Sequence, residues 1–566
     1  MSGNKNEEQP FLQVRDNDNA PNTKTSSYNT ISTTSPPSKN NQTSKDDTNK
    51  EHQNIELGSV SIGILTLCLA VSAALPTLDV SICFTIMSEI GTEFEKAHLA
   101  TWIHNSYILA CMTTLPLAGK LADLFGRKPV LVVLTLLFLL GSYGCGISQN
   151  LAQIIVARAI AGFGGGGVTL MANVVIHDVI SIDKRSQYQS FISMVQTLGI
   201  AVGSPLGGFI TDTFGWRYCF KLNIIPLLFN AYIYFFRLNN YRTPSMVSNG
   251  TKIMDQLRSI DFLGVILLSA ANSLLVTSFL FGGNTYEWDD PLTICLLIGS
   301  GLAFILFGLH QAYGTRHPLI SHTLATNRNA VVTCAGMIFM CICESGLSYS
   351  LPQFFMGVLG FTTSESGLWT MAEALIVPVG CFTAGQYIRR TGYFKKFVFV
   401  IGALYVVGCG SSSQWMIRAL PFFVGMFFVI IQGFSYGAIL VSLFMSVARD
   451  LPGYEMASAM SIAVLFRYMG FSLGPASVAA IVQGNLKSLL TEKITGSDAE
   501  ELIKFIRTSI RKTYTLSPEL QEIVADALGK SLQKAFFLMT GSMLIATCVF
   551  LLLKNINLKA AAAAQN

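Results

Sequence analysis

The chain has 566 residues, of which 51% are hydrophobic and only 13% charged, where soluble domains carry about 25% charge. Its formal net charge of +5 is too small for a nucleic-acid surface and reads as loop charge that sets membrane topology. These values exclude an ordinary soluble domain and point to an all-α polytopic membrane protein, because the bilayer core accepts only helices or closed barrels.

Residues 1–57 are rich in Asn, Ser, Thr, Lys and Asp and nearly free of aromatics. Such a segment cannot bury enough apolar surface to order itself, so it reads as a disordered tail. It is too polar for a signal peptide, which leaves the first span as the insertion signal. Fourteen apolar runs follow, each near the about 20 residues needed to cross a bilayer. They lie at 59–86, 101–122, 129–148, 151–177, 187–211, 217–236, 261–282, 292–313, 329–358, 365–388, 397–416, 419–447, 455–483 and 534–553.

Basic residues fall in alternate connections: Lys120, Arg127 and Lys128; Lys184 and Arg185; Arg237, Arg242, Lys252 and Arg258; Arg389, Arg390, Lys395 and Lys396. The other set is nearly bare, with Lys96, Arg418 and the acidic run Glu287-Trp288-Asp289-Asp290. Both termini are therefore expected in the cytosol. Loop 484–533 is on the far side yet basic; long loops are largely exempt from the charge rule. Within it, 499–512 and 519–534 read as amphipathic helices lying at the membrane interface. The sequons at Asn41 and Asn249 fall on cytosolic segments, so neither is expected to be glycosylated. All twelve cysteines lie inside spans and are expected to pack as apolar residues without disulfides.

An internal repeat is visible. Gly162-Phe163-Gly164-Gly165-Gly166 is echoed by Gly433-Phe434-Ser435-Tyr436-Gly437, and Gly199 to Pro205 by Gly470 to Pro475. Both matches stand at one and the same offset along the chain. The loop Gly119-Lys120 to Gly126-Arg127 is echoed by Gly385 to Gly392 at a slightly shorter offset. Two six-helix half-bundles with two inserted helices follow from this, an architecture known among transporters. The expected divisions are a cytosolic tail (1–57), an N-terminal bundle (58–237), a cytosolic loop (238–260), inserted helices (261–313), C-terminal helices 9–13 (314–483), a far-side loop (484–533), helix 14 (534–553) and a cytosolic tail (554–566).

The loop Gly119-Lys-Leu-Ala-Asp123-Leu-Phe-Gly126-Arg127-Lys128 resembles the loop 2–3 signature of the major facilitator superfamily. Arg158 followed by Gly162 resembles its span 4 motif, and Gly203-Ser-Pro205-Leu-Gly207-Gly208 the span 5 motif of its proton antiporters. Leu78-Asp79, Gly215-Trp216-Arg217 with Asn223 and Pro226, and Leu351-Pro352-Gln353-Phe354 with Ser366-Gly367-Leu368 are similar to the fourteen-span drug:proton antiporters. Within that branch the polar tail, the basic far-side loop and the span 9 carboxylate are most similar to fungal vacuolar basic amino acid transporters. In the span 1 motif, Ser81 stands where the family usually has Thr, which keeps the hydroxyl.

An ionisable residue at membrane depth is expensive and is a functional hypothesis by default. Asp79, Glu344 and Glu373 are the candidates for binding a substrate cation and carrying protons. Glu344 follows Asp79 at close to the repeat offset, which suggests equivalent places. The repeat sets Glu373 opposite Tyr107. Desolvation favours a neutral carboxyl group, and a cationic substrate would displace its proton; that competition suffices for antiport. The plainer possibility is that each carboxylate caps an amide or pairs with a cation. The resemblance implies a proton-coupling role for Arg158, which would tune a carboxylate because a guanidinium keeps its proton; a structural pair closing the half-bundle is the equal alternative. Arg467 reads as structural.

The resemblance also makes Gly119, Asp123, Gly126, Arg127 and Lys128 a cytosolic latch that meets the opposite half near Tyr454. Gly199, Gly203, Pro205, Gly207, Gly208, Gly470 and Gly474 allow close helix approach and bending, which serves gating as well as packing. Trp102, Tyr107, Tyr349 and Trp369 could line a cavity, although aromatics near span ends more often anchor the interface. His104 and His177 read as satisfied core or interface histidines rather than proton relays. Gly162–Gly167 lacks the Lys-Ser/Thr of a phosphate loop, and no nucleophile–base set or metal-ligand spacing stands out. The expectation is thus no enzyme, no metal and no cofactor beyond the proton gradient.

The resemblance implies a monomeric proton-coupled exchanger moving lysine, arginine or histidine from cytosol into the vacuole. Its partners would be a small cationic substrate, protons and the bilayer, with no nucleic acid. Glu7-Glu8-Gln9-Pro10-Phe11-Leu12 resembles an acidic dileucine signal for sorting adaptors. The alternatives are a plasma-membrane multidrug:proton exporter, a siderophore importer and a non-transporting nutrient sensor.

Overall fold

Lipid offers no partner for a backbone amide, so each apolar run must close its own hydrogen bonds. In the computed structural model all fourteen do so as helices. The structure describes residues 61–180, 182–241, 260–282, 286–315, 318–450, 453–494, 499–508 and 517–554. The tail, both sequons, the sorting-signal resemblance and the side chains of His177 and Tyr454 lie outside the described residues. The helices are α1 (Ile62–Glu93), α2 (Thr101–Phe125), α3 (Arg127–Ile147), α4 (Leu151–Val179) and α5 (Ile182–Phe214). Next come α6 (Arg217–Arg237), α7 (Phe262–Phe281) and α8 (Pro291–Gly314). The rest are α9 (Arg328–Gly357), α10 (Thr363–Thr391), α11 (Lys395–Trp415), α12 (Phe422–Asp450), α13 (Gly453–Lys493) and α14 (Pro518–Phe550).

Two half-bundles repeat one packing plan. In the first, α1 packs on α5, and α2 and α3 pack on α4; in the second, α9 packs on α13, and α10 and α11 pack on α12. The halves meet along two seams, α5 with α10 and α2 with α13. The inserted pair α7–α8 lies against the second seam. There Asn272 donates to Ser472 Oγ of α13 at 2.9 Å, and Thr113 of α2 donates to Ser269 Oγ at 2.9 Å.

Close glycine contacts fix the register of the repeat. A Cβ at Gly162 would lie 2.3 Å from the Tyr107 carbonyl oxygen, and one at Gly433 would lie 2.6 Å from that of Glu373. Tyr107 and Glu373 are therefore equivalent, as the sequence repeat anticipates. Gly199 faces the Ala74 carbonyl and Gly470 that of Ile338; Gly203 faces that of Leu78 and Gly474 that of Ile342. Helices α1 and α9 thus correspond with Ala74 on Ile338 and Leu78 on Ile342. That register makes Cys343, not Glu344, the equivalent of Asp79. Glu344 lies one position further on and is rotated about 100° away around its helix.

The far-side loop departs from expectation. Helix α13 runs on to Lys493 and α14 begins at Pro518, so 519–534 is the first part of α14 rather than a separate interfacial helix. Its apolar face (Val524, Ala527, Leu528, Leu532) is buried together with Leu486 and Leu490 of α13. Lys493 pairs with Asp526 at 2.6 Å, and Asn485 donates to Ser531 at 3.1 Å. Each helix finds a protein partner for its apolar stripe, which removes the reason for it to lie on lipid. The separate helix Ala499–Thr508 likewise buries Ile503 and Ile506 in the protein core.

Candidate functional site

Asp79 lies midway along α1 and is 1% exposed. Its Oδ2 pairs with Nη1 of Arg158 from α4. Its Oδ1 accepts from Asn223 Nδ2 at 3.1 Å. Helix α6 breaks at Asn223, between the segments Arg217–Leu222 and Ile224–Tyr232. Pro226 just beyond it has no N–H to give the preceding turn. Arg158 Nε donates to the Ile103 carbonyl at 3.1 Å, and the guanidinium lies 4.2 Å from the centre of the Tyr107 ring. Asp79 and Arg158 are thus each other's counterion, in a cluster drawn from α1, α2, α4 and α6 with no net charge.

The second half is built differently. Glu344 (α9) and Glu373 (α10) are 7% and 5% exposed. Tyr405 Oη of α11 donates to Glu344 Oε2 at 2.7 Å. The two carboxyl groups lie within hydrogen-bonding reach of each other, and Glu373 Oε1 has no donor among the described residues. The glycine repeat that sets Gly162 on Gly433 sets Arg158 on Val429, fully buried, so this half carries no guanidinium in the corresponding place. Arg467 of α13 contributes a positive field at Glu344. Its guanidinium stands 5.3 Å from the Phe471 ring, and its Nε has no partner among the described residues. Two buried carboxylates side by side are too costly unless something positive joins them. The geometry can accept one proton between them, or an ammonium or guanidinium group.

The seam at the end opposite the basic loops is tightly closed. A Cβ at Gly208 would lie 2.4 Å from the Thr363 carbonyl, and one at Gly367 would lie 2.3 Å from that of Ser204. Asp212 of α5 accepts from Ser364 N at 2.8 Å and Ser364 Oγ at 2.6 Å, at the first turn of α10. Thr101 and Tyr349 share a hydrogen bond of 3.0 Å between α2 and α9. The expected gating glycines divide by role: Gly199, Gly203 and Gly207 admit α1 within their own half, Gly470 and Gly474 admit α9, and Gly208 meets the other half. Pro205 abuts Gly367. We expect Gly208→Val to hold this seam apart and cut transport at least about tenfold, since Cβ atoms cannot share space with backbone. Gly199→Ala should cost stability instead, read as a lower unfolding temperature with transport per folded molecule retained.

The latch residues pack within their own half. Arg127 is 3% exposed; its Nε donates to Asp178 Oδ2 at 2.6 Å and its Nη1 to Asp123 Oδ1 at 2.7 Å. Gly126 has φ +93°, and a Cβ there would collide with Asn240, so only glycine suits this turn. Lys128 lies 6.0 Å from the Phe235 ring, and Gly119 is half-buried. Asp178 was not among the residues singled out from sequence; one acidic residue at the end of α4 gives no signal of what it pairs with.

The aromatic candidates serve their own structure. Tyr107 lies under Arg158, Tyr349 bonds Thr101, and Trp369 packs 4.6 Å from the Phe422 ring. Trp102 lies 6.4 Å from the Phe281 ring. Tyr405 was missed because a lone tyrosine in an apolar span looks like packing. His104 is fully buried, with the Phe84 ring 4.4 Å away and the backbone of Phe471 beside it.

Comparison with known proteins follows the same lines. The sequence model for the Major Facilitator Superfamily matches residues 69–475. The chain is 29% identical to the vacuolar membrane amino acid uptake transporter fnx2 of Schizosaccharomyces pombe, over 89% of this chain and 86% of that protein. It is 28% identical to the multidrug resistance protein fnx1 of the same organism, over 85% and 90%. It is 27% identical to the vacuolar basic amino acid transporter 2 of Saccharomyces cerevisiae, over 80% and 97%. Among solved structures it is similar in fold to a bacterial homologue of the human lysosomal transporter Spinster, with TM-score 0.58, 14% identity and coverage of 86% and 97%. A D-xylose–proton symporter matches with TM-score 0.55, 16% identity and coverage of 81% and 99%.

Proposed function

Because this chain belongs to the major facilitator superfamily and is a multi-pass membrane transport protein, we propose that it is a proton-coupled antiporter moving lysine, arginine or histidine from the cytosol into the vacuole. The observation that carries this reading is the buried Glu344–Glu373 pair, which lacks an arginine where the first half has Arg158. From the acidic side the pair takes up a proton. From the cytosolic side a cationic amino acid displaces that proton and binds in its place. Cation and proton then compete for one site, so each crosses only when the other is absent. Tyr405 holds Glu344 in place, and Arg467 limits the negative charge the site can accumulate. The Asp79–Arg158 pair is the coupling element of the other half. The basic loops face the cytosol in this scheme, as do both termini, and the proton gradient is the sole energy source.

The amino acid transport named for two relatives supports the substrate class. Multidrug export from the cell is the second reading, favoured by the names of other relatives. The test is uptake of labelled lysine, arginine and histidine into energised vacuolar vesicles with and without this protein. Protein-dependent uptake that a protonophore collapses supports the proposal. Unchanged uptake with the protein confirmed in the membrane, together with faster efflux of a cationic dye from cells, would replace it with drug export.

A further inference from the structure

We propose that Arg467 binds the carboxylate of the transported amino acid while Glu344 and Glu373 hold its cationic side chain, so that the site reads a molecule charged at both ends. This rests on the amino acid reading above and adds the group that separates such a substrate from a simple organic cation. Arg467 is a half-buried cation within a membrane span, where a charge without a partner is costly. The other deep arginine, Arg158, has Asp79, and Arg127 has Asp123 and Asp178. Arg467 has no such counterion among the described residues. Its Nε is buried without a hydrogen-bond partner among them, and its neighbour is the Phe471 ring, 5.3 Å away.

Helix packing does not require this charge. Gly470 and Gly474 correspond to Gly199 and Gly203, so Arg467 corresponds to Gln196 of α5, which is also half-buried. A neutral side chain fills the place in the first half. The position does suit a ligand bound at Glu344. Gly470 lies against Cys341 and Gly474 against Ser345, which sets Gly474 level with Glu344. Arg467 precedes Gly474 by two helical turns, so it stands on nearly the same face of α13 and about 10 Å nearer its start. Helix α13 starts at the basic-loop end, and the opposite end of the seam is closed by the Gly208 and Asp212 contacts. A substrate arriving from the basic side therefore meets the guanidinium before the carboxyl pair. Arg467 adds to the field at Glu344 without a hydrogen bond to it. Opposite charges set apart along one path match an amino acid whose cation rides on a flexible four-carbon stem. Its carboxylate meets the guanidinium in a contact that is strong and geometrically specific. A simple organic cation satisfies only the carboxyl pair and leaves Arg467 without a counterion.

The test compares lysine with lysinamide, which keeps both amines and replaces the carboxylate by a neutral amide. Uptake of labelled lysine is followed in proteoliposomes of the purified protein, with unlabelled lysine or lysinamide as competitor. The native protein should need at least about tenfold more lysinamide than lysine for half-inhibition, the size of one charged hydrogen-bond contact. Arg467→Gln, which copies the residue of the first half, should raise the KM for lysine at least about tenfold with kcat within about twofold. Lysinamide should compete in that variant as it does in the native protein. Arg467→Lys should recover part of the lysine affinity. Competition on the native protein decides the point even where a variant fails to fold. Equal competition by the two ligands overturns the proposal. So does a loss of lysine and lysinamide together in Arg467→Gln, which marks a role in packing or in the field of the site. Discrimination that persists in lysine uptake without proton flow supports the carboxylate contact and removes the antiport reading. No protein-dependent lysine uptake at all would remove both.

Discussion

Glu344→Gln is expected to abolish proton-coupled cation transport while leaving the protein folded and correctly sorted. The carboxylate is the one bound by Tyr405, and its neighbour Glu373 is left to face an amide. An amide cannot take up or release the proton, so competition between proton and cation ends. Loss of one member of a buried charged pair typically costs about 2–5 kcal/mol of binding, or roughly 30- to 4000-fold. Tyr405→Phe should act in the same direction but more weakly, by about 0.5–1.5 kcal/mol for one hydrogen bond. Glu373→Gln should resemble Glu344→Gln, because neither carboxyl holds the site alone. Uptake of labelled lysine with surface expression measured in parallel checks all three. Normal transport by Glu344→Gln would remove this residue from the mechanism.

The second large effect concerns the other half. Arg158→Leu leaves Asp79 buried without its cation, which typically costs about 3–5 kcal/mol. The purified variant should unfold at markedly lower temperature or fail to accumulate. Asp79→Leu/Arg158→Leu removes both charges and should recover most of that stability, since a buried ion pair is often no better than an apolar one. It should nevertheless transport nothing. Thermal unfolding in detergent followed by uptake separates the two properties. Full transport by the double variant would reduce this pair to a structural fastening.

Much of this was legible in the residues. Hydropathy locates every span because a helix in lipid must be apolar over its whole crossing. Glycines reveal the duplication because close helix contacts tolerate little else. The buried carboxylates and Arg158 stand out because ionisable groups at that depth are rare. Side-chain direction was less accessible. Asp79 and Glu344 are separated by nearly the repeat distance, yet a shift of a single position in register sends one toward α4 and the other toward α10 and α11. Pairings across the sequence, such as Arg127 with Asp178 or Asp212 with Ser364, depend on how the helices are set beside one another. The extension of α13 and α14 escaped detection because their outer turns are polar on one face and leave the hydropathy pattern of a span.

The most direct measurement is made on purified protein in proteoliposomes with an internal pH dye and an imposed pH gradient, acid inside, in the presence of external lysine. Antiport predicts that lysine accumulates inside above its external concentration only with the gradient, that protons leave as it enters, and that Glu344→Gln abolishes both flows together. Lysine entry without proton movement, or proton movement that lysine does not alter, would contradict it.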